Sequence, residues 1–205
     1  MTTNFDELLA ALRAYLESCG ADPVVAGFLA DIDWTMPARA LESKAIASSS
    51  LLDRTISLTS DATRPLAVAL AERGGELRWG QTYTAADFGQ HFIDNYGWVE
   101  LFGTRGHFVN ETVAAGFLVL GPGIEYPDHH HLAEELYIPL TGGTEWRRGD
   151  EAFRLRAAGE LVHHASNVSH AMRTGDGPLL ALYLWRGGPL AAKSTVTGAI
   201  EQAKG

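Results

Sequence analysis

From about Trp98 onward, short apolar runs follow one another at 113–120, 135–140, 153–155, 160–163 and 179–185, with glycine and proline punctuation between them. Strands in such close succession, without intervening helices, argue for an antiparallel sandwich or barrel and against a parallel sheet, whose crossovers consume a dozen or more residues each. The front of the chain has a different texture. Phe5, Leu8, Leu9, Leu12, Tyr15 and Leu16 recur at three- and four-residue spacing, which predicts an amphipathic helix stopping near Gly20. A second helix is expected over 65–73, ending at Gly74 and Gly75, and a third over 85–95 with Thr84 as its cap. Residues 48–59 are too polar and irregular to assign. The expected organisation is one compact unit: a helical N-terminal segment, 1–97, packed on a β-barrel, 98–205. No sequence repeat or low-complexity tract interrupts it.

Composition narrows the function classes. Hydrophobic residues make up 46% and charged residues 20% of the 205 positions, the balance of a soluble globular chain. A formal charge of -9 with no lysine or arginine cluster repels a phosphate backbone, so nucleic acid is not an expected partner. Cys19 is the single cysteine, which rules out an intrachain disulfide and a thiolate cluster and leaves nitrogen and oxygen as metal donors. The first residues lack the basic start and long apolar run of a signal peptide, and no run approaches the ~18 apolar residues of a membrane span. The expectation is a cytoplasmic protein without a membrane partner.

The segment from Gly123 to Gly142 carries the chemistry. His129, His131, Glu135 and Tyr137 are separated by even numbers of residues, so an extended chain turns all four to one face. Two imidazoles and a carboxylate on one sheet face make a site for one divalent transition metal, and zinc, iron, manganese, cobalt and nickel all accept such donors. His130 and Glu134 have the opposite parity and fall outside the set.

Gly123, five residues, His129-x-His131, three residues, Glu135, six residues and Gly142 together resemble the first signature motif of the cupin superfamily. Gly159 and, eleven residues later, His170 resemble the second, with Ala165, Asn167 and Thr174 where that motif has proline, glycine and asparagine. His163 and His164 compete with His170 as fourth ligand. The fold this implies is mainly β: a cupin, a double-stranded β-helix or jelly-roll barrel, preceded by an α-helical N-terminal segment. A narrower resemblance rests on Tyr126-Pro-x-His129-x-His131-x-x-x-Glu135-x-Tyr137-x-Pro139-Leu behind a helical front half. It is similar to the cupin-type dimethylsulfoniopropionate (DMSP) lyases and their lyase-like relatives. That resemblance implies metal binding by His129, His131, Glu135 and His170, and a base role for Tyr137 in a β-elimination giving dimethylsulfide and acrylate.

Chemistry adds further candidates. Tyr126, three residues before the first ligand, is a second base candidate or a substrate contact. A sulfonium is a soft cation that favours aromatic faces, for which Trp146, Tyr183 and Trp185 are placed as substrate-binding candidates. Two other readings use the same ligand set: a cupin dioxygenase or isomerase acting on another small carboxylate, and a non-catalytic metal- or ligand-sensing cupin. The expected partner is a small-molecule carboxylate. A homodimer is compatible with the chain, which carries no signature of oligomeric state.

Overall fold

Alternation along the central strands sorts single apolar runs onto two separate interiors. The computed structural model describes residues 5–197, so the outermost positions of the two expected segments, 1–4 and 198–205, lie outside the described residues. The helices are α1 (Asp6–Ser18), α2 (Pro23–Asp31), the short α3 (Leu52–Thr55), α4 (Arg64–Arg73) and α5 (Ala85–Asp94). The strands are β1 (Tyr96–Gly103), β2 (Phe108–Val109), β3 (Val113–Leu120), β4 (Glu125–His130), β5 (Glu134–Pro139), β6 (Thr144–Arg148), β7 (Arg154–Arg156), β8 (Val162–His164), β9 (His170–Thr174), β10 (Leu179–Arg186) and β11 (Thr195–Val196).

These strands form two sheets, ordered β2-β1-β3-β10-β5-β8 and β11-β4-β9-β6-β7. Every pairing is antiparallel except the short β1–β2 contact. This is the cupin barrel, with helices in front of it in the chain.

In the six-stranded sheet, Val113, Ala115, Phe117 and Val119 of β3, Leu136 and Ile138 of β5, and Leu180, Leu182 and Leu184 of β10 share a core with Leu8, Leu12 and Leu16 of α1 and Leu66 and Leu70 of α4. The alternate residues, among them Leu118, Leu120, Tyr137, Leu179, Ala181 and Tyr183, turn into the barrel and meet Tyr126, Trp146 and Met172 from the other sheet. A sheet covered on both faces reads as a continuous apolar run, which is why the β3 and β10 segments stand out in the sequence. Tyr183 fits inside because its cross-strand partner is Gly116. A Cβ at that glycine would lie 1.9 Å from the Val99 carbonyl and 2.9 Å from the Tyr183 hydroxyl.

The α2 helix was not anticipated. Its signal is a cap rather than a periodicity: the Asp22 carboxylate accepts from the backbone N–H of Val24 and Val25, at 2.8 and 3.4 Å, and Pro23 opens the first turn. The unassigned stretch 48–59 is α3 flanked by two 3-10 turns, Ala47–Leu51 and Ile56–Leu58. Thr84 does start α5, with its backbone N–H and hydroxyl both donating to Asp87 Oδ2. The α4 helix is tied to the barrel by Thr63, whose buried hydroxyl donates to the Leu140 carbonyl at 2.7 Å.

Because one core serves both parts, we propose that helices and barrel unfold as a unit. Leu12→Ala, at a position with 0% exposure, should cost about 2–5 kcal/mol. Chemical unfolding followed by far-ultraviolet circular dichroism and by tryptophan fluorescence should move to lower denaturant together. Two separated transitions would show instead that the segments are independent.

Candidate metal centre and its cavity

The histidines and the glutamate reach one point by different routes. The single extended run expected from residue parity is not formed. The β4 strand ends at His130, its register with β9 shifts between Tyr126 and His129, and β5 begins only at Glu134, so His131 sits in the connection between strands. Parity holds within β5, where Glu135 and Tyr137 face inward together. Between neighbouring strands of the five-stranded sheet His129 pairs with His170, and in the six-stranded sheet Glu135 stands between Trp185 and His164 on its two neighbours. Ligand atoms of His131, Glu135 and His170 all lie within 4.8 Å of one another. His129 adjoins this trio, its ring edge-on to His170 at 4.2 Å and stacked on Tyr126 at 4.0 Å. All four are buried, Glu135 and His170 completely.

Backbone carbonyls fix which ring nitrogens carry protons. His129 Nδ1 lies 2.8 Å from the Pro127 carbonyl, His131 Nδ1 2.9 Å from that of Ala133, and His170 Nδ1 3.0 Å from that of Val168. A carbonyl only accepts, so each Nδ1 donates, and in the neutral ring each Nε2 presents a lone pair. Two of those nitrogens face the same atom: Glu135 Oε2 is 2.9 Å from His131 Nε2 and 3.1 Å from His170 Nε2. Acceptors at that separation repel unless a cation lies among them. Burial opposes a charged His131, but the Glu135 carboxylate outweighs this and raises the histidine. Burial likewise opposes the charged Glu135, and His131 with His170 overcome it and hold the carboxyl well below its usual range. His129, dominated by burial and then by His170, is pushed well below the usual imidazole value and stays a neutral donor. Nε2 atoms fixed by donation from the opposite ring nitrogen, beside a buried carboxylate, fit a divalent transition metal.

The remaining oxygen, Glu135 Oε1, accepts from Trp185 Nε1 at 2.5 Å. The ring of Trp185 also lies 4.0 Å from that of His131. His163 leaves the site, its Nε2 lying 2.8 Å from Glu134 Oε1, which Arg186 also holds. His164 is buried and stacked on His170, and burial, then His170, push it down to about 2. Asn167 explains one departure from the second motif. It adopts φ 61, the left-handed conformation in which glycine is at home, and its N–H donates to the His131 carbonyl at 2.9 Å, joining the two ligand-bearing loops. Thr174 explains another, its hydroxyl donating to the Gly121 carbonyl while the Ile124 N–H donates back to it.

A cavity of about 520 Å³, counted out to its open mouth, lies against this centre and is lined by His129, Glu135, Tyr126, Tyr137, Tyr183 and Trp185. Burial, then the Glu135 charge, raises the Tyr137 phenol well above its ordinary value. Burial does the same to Tyr126, whose hydroxyl is 3.0 Å from that of Tyr83. Trp146 is placed behind Tyr137, at 5.1 Å between rings, and is not among the lining residues.

Sequence reasoning missed Thr82, Tyr96, Trp98, Arg105, Leu118, Ala192 and Ser194, which complete the wall. The available signal was the density of Trp79, Tyr83, Phe88, Phe92, Tyr96 and Trp98 just before the barrel. Arg105 adds no net charge. Its Nε and Nη2 donate to Glu100 Oε2 at 3.1 and 3.0 Å, its N–H to Oε1 at 2.6 Å, and its guanidinium lies 4.7 Å from the Trp98 ring centroid. No helix among the described residues is long and apolar enough to cross a membrane.

Comparison with known proteins places residues 29–181 in a match to the DMSP lyase family model. The chain is 33% identical over 183 residues to DMSP lyase DddQ of Ruegeria pomeroyi, covering 89% of each. It is 32% identical over 128 residues to a putative DMSP lyase, DddL, of Cereibacter sphaeroides, covering 62% of this chain and 53% of that one. The crystal structure of DddQ from Ruegeria pomeroyi superposes with a TM-score of 0.83 at 30% identity, over 94% of this chain and 97% of that one. A structure from work on the DMSP lyases RdDddP and RnDddQII gives 0.85 at 31% identity, over 93% and 95%.

Removing either half of the central contact should empty the site. His131→Ala and Glu135→Ala are expected to lose most bound metal by elemental analysis, and His170→Ala to weaken it strongly, whereas His130→Ala and His163→Ala should keep it. Equal loss from His130→Ala would show that the connection between β4 and β5 is not the ligand-bearing turn described.

Proposed function

This chain belongs to the DMSP lyase family, and from that premise we propose how its own residues act in cleaving dimethylsulfoniopropionate to dimethylsulfide and acrylate. It is a carbon–sulfur lyase. The observation that carries the residue assignments is the pair of imidazole Nε2 atoms that meet at one buried Glu135 oxygen, on the wall of a cavity lined with tyrosine and tryptophan.

We assign one divalent transition metal, from among zinc, iron, manganese, cobalt and nickel, to His131, Glu135 and His170, with His129 completing the set. When bound, such an ion supplies a Lewis acid for the carboxylate of a small substrate and steadies the enolate-like charge that develops on proton loss.

Tyr137 is the base in this reading. It shares the inward face of β5 with Glu135 and lines the cavity. Burial and, after it, the Glu135 charge hold its phenol protonated; offsetting the Glu135 charge with a bound cation would remove the second of these and lower the cost of the phenolate. Tyr137 then takes the proton alpha to the carboxylate. The electrons of that C–H bond become the double bond of acrylate, the Cβ–S bond breaks, and its electron pair leaves on sulfur as dimethylsulfide. Tyr183 and Trp185, joined by Tyr96 and Trp98, offer the aromatic faces that suit a sulfonium. Glu100 cancels the charge of Arg105, so the wall does not repel that cation. Tyr126, stacked on His129 and close to Tyr83, has a positioning part, and Trp146 supports Tyr137 from behind.

The test is incubation of metal-loaded protein with DMSP and headspace detection of dimethylsulfide. Tyr137→Phe should keep its metal and lose about two to four orders of magnitude in kcat. Tyr126→Phe should retain most turnover. Full turnover by Tyr137→Phe with metal content confirmed would pass the base role to Tyr126.

A further inference from the structure

Trp185 touches two of the residues assigned to the metal. It stands directly across from Glu135 in the pairing of β10 with β5, where side chains on one face meet. Its indole Nε1 donates to Glu135 Oε1 at 2.5 Å, and its ring lies 4.0 Å from that of His131, tilted by 34°. An indole N–H is a donor only, so Trp185 cannot itself ligate an ion. Its effect on the ion runs through Glu135.

The two oxygens of that carboxylate have different partners. Oε2 faces His131 Nε2 at 2.9 Å and His170 Nε2 at 3.1 Å, whereas Oε1 is taken up by the indole. Carboxylates bind ions through one oxygen or through both. Glu135 is completely buried, so an Oε1 stripped of its donor has no bulk water to turn to and takes the nearest positive charge, the ion held at Oε2. A second oxygen on the ion fills a position that a catalytic site leaves open for substrate.

We propose that Trp185 is a positioning residue: by holding Oε1 it confines Glu135 to one-oxygen binding and reserves a position on the ion for the substrate carboxylate. The proposal rests on the metal-site reading above and deepens it. It gives the indole N–H a task separate from any contact of its ring with the sulfonium.

Protein stripped with a chelator and confirmed folded by circular dichroism would be loaded with Co2+, and sodium acetate then titrated in while the visible absorption is followed. Acetate has a carboxylate and no sulfonium, so the aromatic face of Trp185 does not enter the measurement. Trp185→Phe keeps a ring beside His131 and removes the N–H, and Trp185→Leu serves if Trp185→Phe does not fold. The variant should still bind Co2+, because the second oxygen compensates for the lost hydrogen bond. Its visible absorption should weaken, as Co2+ bands do when the ion gains a ligand, and its affinity for acetate should fall about 10- to 100-fold. A variant with wild-type absorption and wild-type acetate affinity overturns the positioning proposal and leaves the metal site standing, even where Co2+ binding itself has weakened. Failure of the wild type to bind Co2+ overturns the metal site, and the proposal with it.

Discussion

A completely buried carboxylate faced by two imidazole nitrogens whose opposite nitrogens are already committed to backbone carbonyls is the contact on which the rest of this structure depends. Glu135 Oε2 is acceptable at that place only with positive charge beside it, because an uncompensated buried charge is among the most destabilising features a core can contain. The surrounding architecture serves that demand. Three carbonyls set the ring tautomers, Trp185 holds the second oxygen, and Asn167 ties the loop of His131 to the loop preceding His170.

The helical front of the chain belongs to the same logic. The β5 strand presents Glu135 and Tyr137 inward and Leu136 and Ile138 outward, and the outward pair needs a cover. The α1 and α4 helices provide it. The site-bearing strand is consequently clamped between two apolar layers, which limits how far its inward groups can drift. Tyr96 and Trp98, on β1 directly after α5, then line the cavity from within the six-stranded sheet.

How much of this was legible in the sequence follows from range. Glu135 and Tyr137 were placed correctly relative to each other because two residues along a strand restore the same face whatever the fold. His131 was grouped with them by an argument that required a continuous strand, and the chain turns there instead. The Asn167 and Thr174 departures looked like a weakened motif, yet each residue does the conformational or hydrogen-bonding work that its position needs. The α2 helix escaped because its nine residues are too few to display periodicity and its cap is one aspartate. Arg105 and Ser194 were invisible as cavity residues because only tertiary packing brings their distant segments to its wall. Trp146 shows the converse: an aromatic residue near a motif is more often packing than contact.

The close approach of Gly116 and Tyr183 has an evolutionary consequence. A Cβ at 116 would meet the backbone of Val99 and Glu100 first and the Tyr183 hydroxyl besides, so the glycine is held there by the β1 strand as much as by the phenol. A chain with a larger residue at 116 has to move β1 away from β3, and the Tyr183 side chain with it. Such a chain keeps every residue of the candidate metal centre and still has a differently shaped chamber. The shape of the chamber is thus set by one glycine on a wall that carries none of the candidate metal-binding side chains.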